Sequence, residues 1–195
     1  MSICLVPHRC VTRAYTLIEL MIVIVVLGLS GALLVPHLAY KDGLSTQAVV
    51  RMIISDMNFA QSDALANQEF RRVHFYADGS GYCIFRVTEA TFNDPFNALT
   101  ADYIDDPLGV VRGPNALGAF YIVNFAAKSR FEDISINSVD FDGGNRHITY
   151  DALGGTVTAG NAPGIGGRIQ IQAEDTIYEI AFSPFTGKMT VTRIQ

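Results

Sequence analysis

Three aspartates in the segment "DFDGGNRHITYD" have the spacing of a calcium-binding loop. Asp140, Asp142 and Asp151 stand at its first, third and twelfth places, where such a loop carries oxygen ligands. However, the sixth place requires glycine for a sharp turn and is Asn145, and the fifth is Gly144, which has no side-chain oxygen. We therefore expect a hairpin turn here and not a metal site.

The histidine and cysteine residues do not have the spacing of metal ligands or of a catalytic centre. With Cys83, the histidines form neither a paired CxxC pattern nor an HExxH pattern. Ser80 in "DGSG" lacks the glycine two residues earlier that a nucleophile elbow requires. The "GIGG" around Ile165 follows no strand-to-helix pattern, so we expect a loop and not a dinucleotide site. We expect no catalytic residues, no cofactor and no metal, and hence not an enzyme. The histidines are His8, His37, His74 and His147.

Glu19 is the only charged residue between Tyr15 and Pro36, a run of 22 residues that is otherwise almost wholly apolar. As a helix this run would be about 33 Å long, close to the ~30 Å hydrocarbon core of a membrane. Arg9 and Arg13 precede it, which favours a cytoplasmic N-terminus. The run therefore predicts a transmembrane helix over 15–36, and the acid within it requires an explanation.

Three explanations of this run are open. A cleaved secretory signal would need small residues at its end, but the candidate Ala39 has His37 two residues before it. A plain membrane anchor would tolerate Glu19 at its edge by snorkelling. A cut after Ala14 would instead place a new amine on Tyr15 and make Glu19 the fifth residue, where the first turn of a helix favours an acid. Its partner would then be the amine of a neighbouring copy or of a related subunit.

The segment "AYTLIELMIVIVVLGLSGALLVP" resembles the class III signal of type IV pilins and type II secretion pseudopilins. In that pattern a short basic leader ends in a small residue, and an aromatic residue, Thr-Leu, Ile-Glu-Leu, an apolar run and a proline follow. Here the leader is residues 1–14, the aromatic residue is Tyr15, and Glu19 and Pro36 are the fifth and twenty-second residues counted from it. Two positions depart from the pattern, since the family usually has glycine at the place of Ala14 and phenylalanine at the place of Tyr15.

The resemblance implies how the chain is processed and assembled. A prepilin peptidase would cut between Ala14 and Tyr15 and methylate the new amine of Tyr15. Glu19 would guide assembly by pairing with the amine of a neighbouring subunit. The residues expected in the packing surface of the membrane helix are Gly28, Ala32 and Pro36, of which the first two form a small-xxx-small pair.

An amphipathic helix is predicted to continue the membrane helix over residues 37–69. Apolar residues recur there at steps of three and four and form one stripe, which should pack against the rest of the chain. The helix should end between Asn67 and Glu69. Together with the strand that follows, this helix resembles the GspH/FimT branch of the pilin superfamily. The stripe consists of Val49, Ile53, Met57, Ala60 and Ala64.

The remaining residues, 70–195, alternate in the manner of β-strands and predict an antiparallel sheet or sandwich. The turn signal "DGSG" between "RRVHFYA" and "YCIFRV" predicts a hairpin. Further strand-like runs are "AFYIVNF", "EDISINSVDF", "RHITYD", "RIQIQA", "TIYEIAFS" and "KMTVTRI". Residues 88–117 are rich in Asp, Asn, Pro and Gly and are expected to form a long surface insertion. Its acids, expected to be solvated, are Asp102, Asp105 and Asp106.

The charge pattern does not favour nucleic acid as a partner. The formal net charge is −5, and loss of the leader, with Arg9 and Arg13, changes it to −7. Binding to phosphate requires clustered Lys and Arg, and the sequence contains no block of like charge. The candidates for weak contacts to DNA are Arg168, Lys188 and Arg193.

These observations predict an α+β fold in which a long N-terminal helix, membrane-spanning in its first half and amphipathic in its second, precedes a β-rich head. The expected function is that of a minor pilin-like subunit of a type II secretion pseudopilus or a type IV pilus. The expected location is the inner membrane, with a single pass and a periplasmic head. Expected partners are prepilin peptidase, other pilins, the inner-membrane assembly platform, membrane lipid and secreted cargo. The alternatives are a DNA-binding minor pilin of transformation and a monomeric, membrane-anchored binding domain.

Overall fold

The computed structural model describes residues 15–39, 41–107, 120–127, 129–173 and 176–194, without the side chains of 33–44. The chain divides into two compact units, Met1–Lys41 and Asp42–Gln195. The first unit contains helix α1, Leu17–Ala39. The second begins within helix α2, Lys41–Asn67, and continues into the strands.

The prediction of a long N-terminal helix with a membrane-spanning first half is wrong. The described residues form two α-helices, α1 and α2, and neither is both long enough and apolar enough to cross a membrane. The single-pass, inner-membrane location with a cytoplasmic N-terminus and a periplasmic head depended on that span and is wrong as well.

The apolar stripe predicted for α2 is confirmed. Its five members, from Val49 to Ala64, are fully buried, as expected for residues that share one face of a helix. The helix ends at Asn67, and Gln68 takes a left-handed φ of 55°. The N–H of Glu69 then donates to the carbonyl of Ala64 at 3.2 Å, which closes the helix with the bond of a Schellman motif.

Two antiparallel sheets form the rest of the second unit. In chain order the strands are β1 Phe70–Phe75, β2 Gly81–Val87, β3 Asp102–Tyr103, β4 Ile122–Asn124, β5 Ile134–Phe141, β6 His147–Tyr150, β7 Thr156–Thr158, β8 Ala162–Pro163, β9 Gly167–Ala173, β10 Thr176–Phe182 and β11 Met189–Arg193. The first sheet has the order β3-β2-β1-β6-β7-β8, and β4 also pairs with β2. The second has the order β11-β10-β9-β5. Single turns of 3-10 helix occupy Phe125–Ala127, Ser129–Phe131 and Ala159–Asn161.

The hairpin predicted at "DGSG" is confirmed, since β1 and β2 pair antiparallel on either side of it. Asp78 fixes the turn, because its Oδ1 accepts the N–H of Ser80 at 3.0 Å. Gly79 has a φ of 73°, and a Cβ there would lie 2.6 Å from the carbonyl oxygen of Ile136. Glycine is therefore required both for the turn and for the approach of the second sheet.

The aspartate-rich segment also forms a turn, but not a hairpin between paired strands. Asp142, with a φ of 48°, and Gly143, with a φ of 84°, turn the chain from β5 in the second sheet to β6 in the first. The segment is closed by a single bridge between Phe141 and Asn145. Because β5 and β6 belong to different sheets, this turn is a crossing between the two layers of strands.

One hydrophobic core joins α2 to one face of each sheet, and a smaller cluster covers the other face of the first sheet. The smaller cluster includes Phe92, and the main core includes Ile104, from the segment expected to be a surface insertion. The predicted surface insertion, 88–117, therefore also contributes residues to both hydrophobic clusters. Residues 108–117 of the predicted insertion lie outside the described residues.

Candidate assembly helix

Helix α1 begins at a hydrogen-bonded cap. Thr16 precedes the helix, and its Oγ1 accepts the N–H of Glu19 at 3.3 Å. Its carbonyl accepts the N–H of Leu20 at 3.2 Å. Threonine followed three residues later by glutamate is the pattern of a capping box, which satisfies N–H groups that a helix leaves unpaired. The sequence analysis assigned Glu19 a role in assembly and overlooked Thr16, although this spacing could have identified the cap.

Glu19 is exposed in the first turn of α1 and is the only charged residue of the segment 17–32. The amino end of a helix carries a partial positive charge, which favours a carboxylate there. Tyr15 is 79% exposed two residues before the helix begins. Ala14, the other residue of the predicted cleavage site, lies outside the described residues.

The apolar side chains of α1 are exposed on every side of the helix. From Leu17 to Leu29 each large apolar residue is between 50% and 79% exposed. A helix that is hydrophobic all round is stable in water only when other apolar groups cover it. The hydroxyl of Ser30 is already satisfied inside the helix, because it donates to the carbonyl of Val26 at 2.7 Å. Over residues 17–32 the helix therefore presents an almost purely apolar surface with one acid near its start.

Two of the predicted packing residues lie on one line of α1. Gly28 and Ala32 are four residues apart and so share a face of the helix. A Cβ at Gly28 would meet nothing within 4 Å, so the packing of the chain itself does not require glycine there. A neighbouring helix could approach closely at this position. Pro36 falls within α1, but its side chain lies outside the described residues.

The three candidate contacts to DNA are not brought together. Arg168 lies in β9 beside Asp140 of β5, and its other neighbour in the sheet is Ala181. Arg193 ends β11 opposite Tyr178, three residues from Ala181 along β10. Because side chains alternate along a strand, Arg168 and Arg193 point to opposite faces of the second sheet. Lys188 is exposed in the loop before β11.

Binding of duplex DNA to the full chain should therefore be weak. With these cations dispersed, we expect a Kd no tighter than about 10⁻⁶ M at physiological salt, in the range of non-specific binding. Fluorescence anisotropy over a salt series measures it, and Arg168→Ala should change it little. Submicromolar binding that is lost in Arg168→Ala or Lys188→Ala would contradict this expectation.

No family model matches this chain, and no curated protein or solved structure matches it either.

Proposed function

We propose that this chain is a minor pilin-like structural subunit, which assembles through α1 with other pilin-like subunits. The observation that carries the proposal is a helix exposed and apolar on every side, with a single capped acid in its first turn. A second, sheet-rich unit has its own hydrophobic core. This division suits a subunit that uses one unit for assembly and presents the other on the surface or tip of a fibre.

Burial of α1 between neighbouring helices would supply the free energy of assembly. Complete burial of a leucine, isoleucine or valine side chain contributes about 1.5–3 kcal/mol, and the helix exposes several of each between Leu17 and Leu29. Such burial is not directional and would not by itself determine the axial position of a subunit. The acid at Glu19 would provide that selection, because a carboxylate among apolar helices needs a cationic partner.

The cationic partner that the proposal requires is the amine of a processed neighbour. A cut between Ala14 and Tyr15 creates an amine four residues before Glu19, and the amine remains charged after methylation. The amine of one subunit and the carboxylate of the next would then meet at one axial position only. Cargo displacement in a secretion pseudopilus and the start of a pilus are both mechanical outcomes of such assembly.

The processing step is tested by mass spectrometry of the chain in a sheared fibre fraction. We expect a chain that begins at a methylated Tyr15. Ala14→Lys should block the cut and keep the chain out of the fibre fraction, because the residue before the cut is small in the proteins that this signal resembles. Arg13→Lys, which preserves the leader's charge, is the matched control and should be processed normally. A fibre fraction that contains only chains with the intact Met1 terminus would overturn the proposal.

A further inference from the structure

The first sheet carries a basic cluster that assembly through α1 does not use. Arg72 and His74 lie on one face of β1, because side chains two residues apart in a strand point to the same side. Their neighbours across the β1–β6 pairing are Thr149 and His147. The opposite face of β1 is buried in the main core. The strand register therefore places a guanidinium and two imidazoles together on the face that the segment around Phe92 covers.

Arg72 is buried, and no carboxylate among the described residues forms an ion pair with it. It is 3% exposed, and its Nε donates to Oγ1 of Thr149 at 2.9 Å. Its Nη2 donates to the carbonyl of Phe92 at 2.7 Å, and the guanidinium carbon lies 4.8 Å from the centre of the Phe92 ring. These partners are neutral, and the ion pairs found among the described residues involve Arg71 and Arg86 instead. A guanidinium has five N–H groups, and three of them have no hydrogen-bond partner among the described residues.

A cavity of about 280 Å³ adjoins this guanidinium. The aromatic rings of Phe92 and Phe96 form part of its wall, together with His74 and His147. The ring of His74 stacks on that of Phe96 with 4.1 Å between their centres. The Nδ1 atom of His74 is buried and has no hydrogen-bond partner among the described residues. The cavity thus combines flat apolar walls with unused hydrogen-bonding groups of basic side chains, as small-molecule sites commonly do.

The two histidines are held in their neutral form when the cavity contains no anion. Burial, together with the positive charges of Arg146 and Arg72, lowers the pKa of His74 to about 4. The pKa of His147 is also lowered to about 4, by burial and then by Arg72 and His74. A negative charge beside Arg72 would offset these charges and raise both pKa values.

Acidic groups in the same cavity limit the charge of the ligand. Asp94 and Asp142 both line it. Oδ1 of Asp142 already accepts the N–H of Ile165 at 2.7 Å, and burial raises the pKa of this carboxyl. The other titratable groups near His74 are Tyr76, whose ring centre is 6.3 Å away, and Cys83, its pairing partner in β2. The two aspartates repel a dianion more strongly than a monoanion, and the guanidinium of Arg72 is sufficient to neutralise a monoanion.

From this geometry we propose that the cavity binds a small organic monocarboxylate with a flat apolar tail. The carboxylate accepts N–H groups of Arg72, and the tail lies against the rings of Phe92 and Phe96. Binding of the carboxylate raises the pKa of His74, so this side chain gains a proton on binding when the pH lies between its free and its raised pKa values. This site lies wholly within the second unit, so the proposal does not depend on assembly through α1.

The test is a pH titration of the full chain in mild detergent, with ¹³C-labelled histidine observed by NMR. The probe is benzoate, and the comparators are inorganic phosphate and chloride at equal ionic strength. His74→Gln and His147→Gln assign the two signals. We expect benzoate to raise the pKa of both histidines by about one unit, and phosphate and chloride to have much smaller effects. Benzoate binding should consequently tighten as the pH falls toward the raised pKa values.

Variants distinguish the site from general ion effects. Arg72→Gln should abolish the response to benzoate, and Phe96→Leu should weaken benzoate binding about tenfold by removing the stacking surface. Phe96 is only half-buried, so its variant keeps the test decisive if Arg72→Gln fails to fold. A titration that benzoate does not change, an equal response to chloride, a response to phosphate alone, or unchanged binding by Phe96→Leu would each overturn the proposal.

Discussion

Replacing Glu19 by glutamine should remove the chain from fibres and leave the sheet-rich unit folded. Glutamine keeps the size and helix preference of glutamate but cannot neutralise the amine of a neighbouring subunit. Removal of one partner from a buried ion pair costs about 3–5 kcal/mol, which corresponds to more than about a hundredfold in affinity between subunits. Crosslinking between the chain and its fibre partners, with the wild type as reference, measures the loss. Cleavage before Tyr15 should continue, because the cut site is unchanged.

Thr16→Ala is the matched control for this prediction. It removes the acceptor of the 3.3 Å bond from the N–H of Glu19 and keeps the carboxylate. Loss of an N-cap costs about 1 kcal/mol of helix stability, so crosslinking should fall much less than in Glu19→Gln. If the Thr16→Ala chain loses assembly and the Glu19→Gln chain retains it, the acid serves only to cap α1 and the ion-pair mechanism is wrong.

Predictions from local sequence patterns were correct where buried residues recur at a fixed spacing along the chain. The stripe from Val49 to Ala64 could be recognised because a helix packed on one side repeats its apolar residues every three or four positions. The β1–β2 hairpin could be recognised because Asp78 and Gly79 have the side chains that its turn requires. Both predictions depend on neighbours in the chain, and both are confirmed.

The prediction of a transmembrane helix at the N-terminus failed because the composition of an apolar run does not show whether lipid or protein contacts its side chains. The run from Tyr15 to Pro36 was treated as one span, joined to the helix that follows, on the basis of its length and composition. The structure instead has separate helices, Leu17–Ala39 and Lys41–Asn67.

The basic cavity was not foreseen, because its members are distant in the chain. Arg72 and His74 alternate with Val73 in β1, which predicts an exposed polar face for an antiparallel strand. That face is buried instead, since Phe92 and its neighbours fold across it. Only the pairing of β1 with β6 places His147 beside His74. Such pairings between remote strands follow from the whole topology and not from local spacing.

A buried carboxylate joins α2 to the first sheet. Asp56 lies on α2 and is 2% exposed. Its Oδ2 accepts the hydroxyl of Tyr82 at 2.6 Å, and its Oδ1 accepts the hydroxyl of Tyr121 at 2.8 Å. A hydrogen bond to a carboxylate contributes about 1.5–3 kcal/mol, so these two bonds add to the attachment that the buried apolar stripe of α2 provides.

Asp56→Ala should therefore be among the most destabilising single changes in the second unit. Two buried hydroxyls lose their charged acceptor, and the expected loss in the free energy of unfolding is about 3–5 kcal/mol. For a unit of this size each kcal/mol lost from the free energy of unfolding lowers Tm by about 2–4 °C, so Tm should fall by roughly 10 °C. Urea unfolding followed by circular dichroism, on a chain that starts at Ser45, measures the free energy directly.

Two further variants separate this mechanism from a general sensitivity of α2. Asn58→Ala changes an exposed residue of the same helix and should alter stability by less than about 0.5 kcal/mol. Tyr82→Phe removes one hydroxyl and leaves that of Tyr121 on the carboxylate, so its cost should lie between those of Asn58→Ala and Asp56→Ala. The order of the three losses in the free energy of unfolding is the decisive result. Tyr82→Phe removes only a hydroxyl group, so it would cost almost nothing if lost packing alone were responsible. If Asp56→Ala unfolds at the same urea concentration as Asn58→Ala, the two tyrosine bonds do not hold α2 on the sheet.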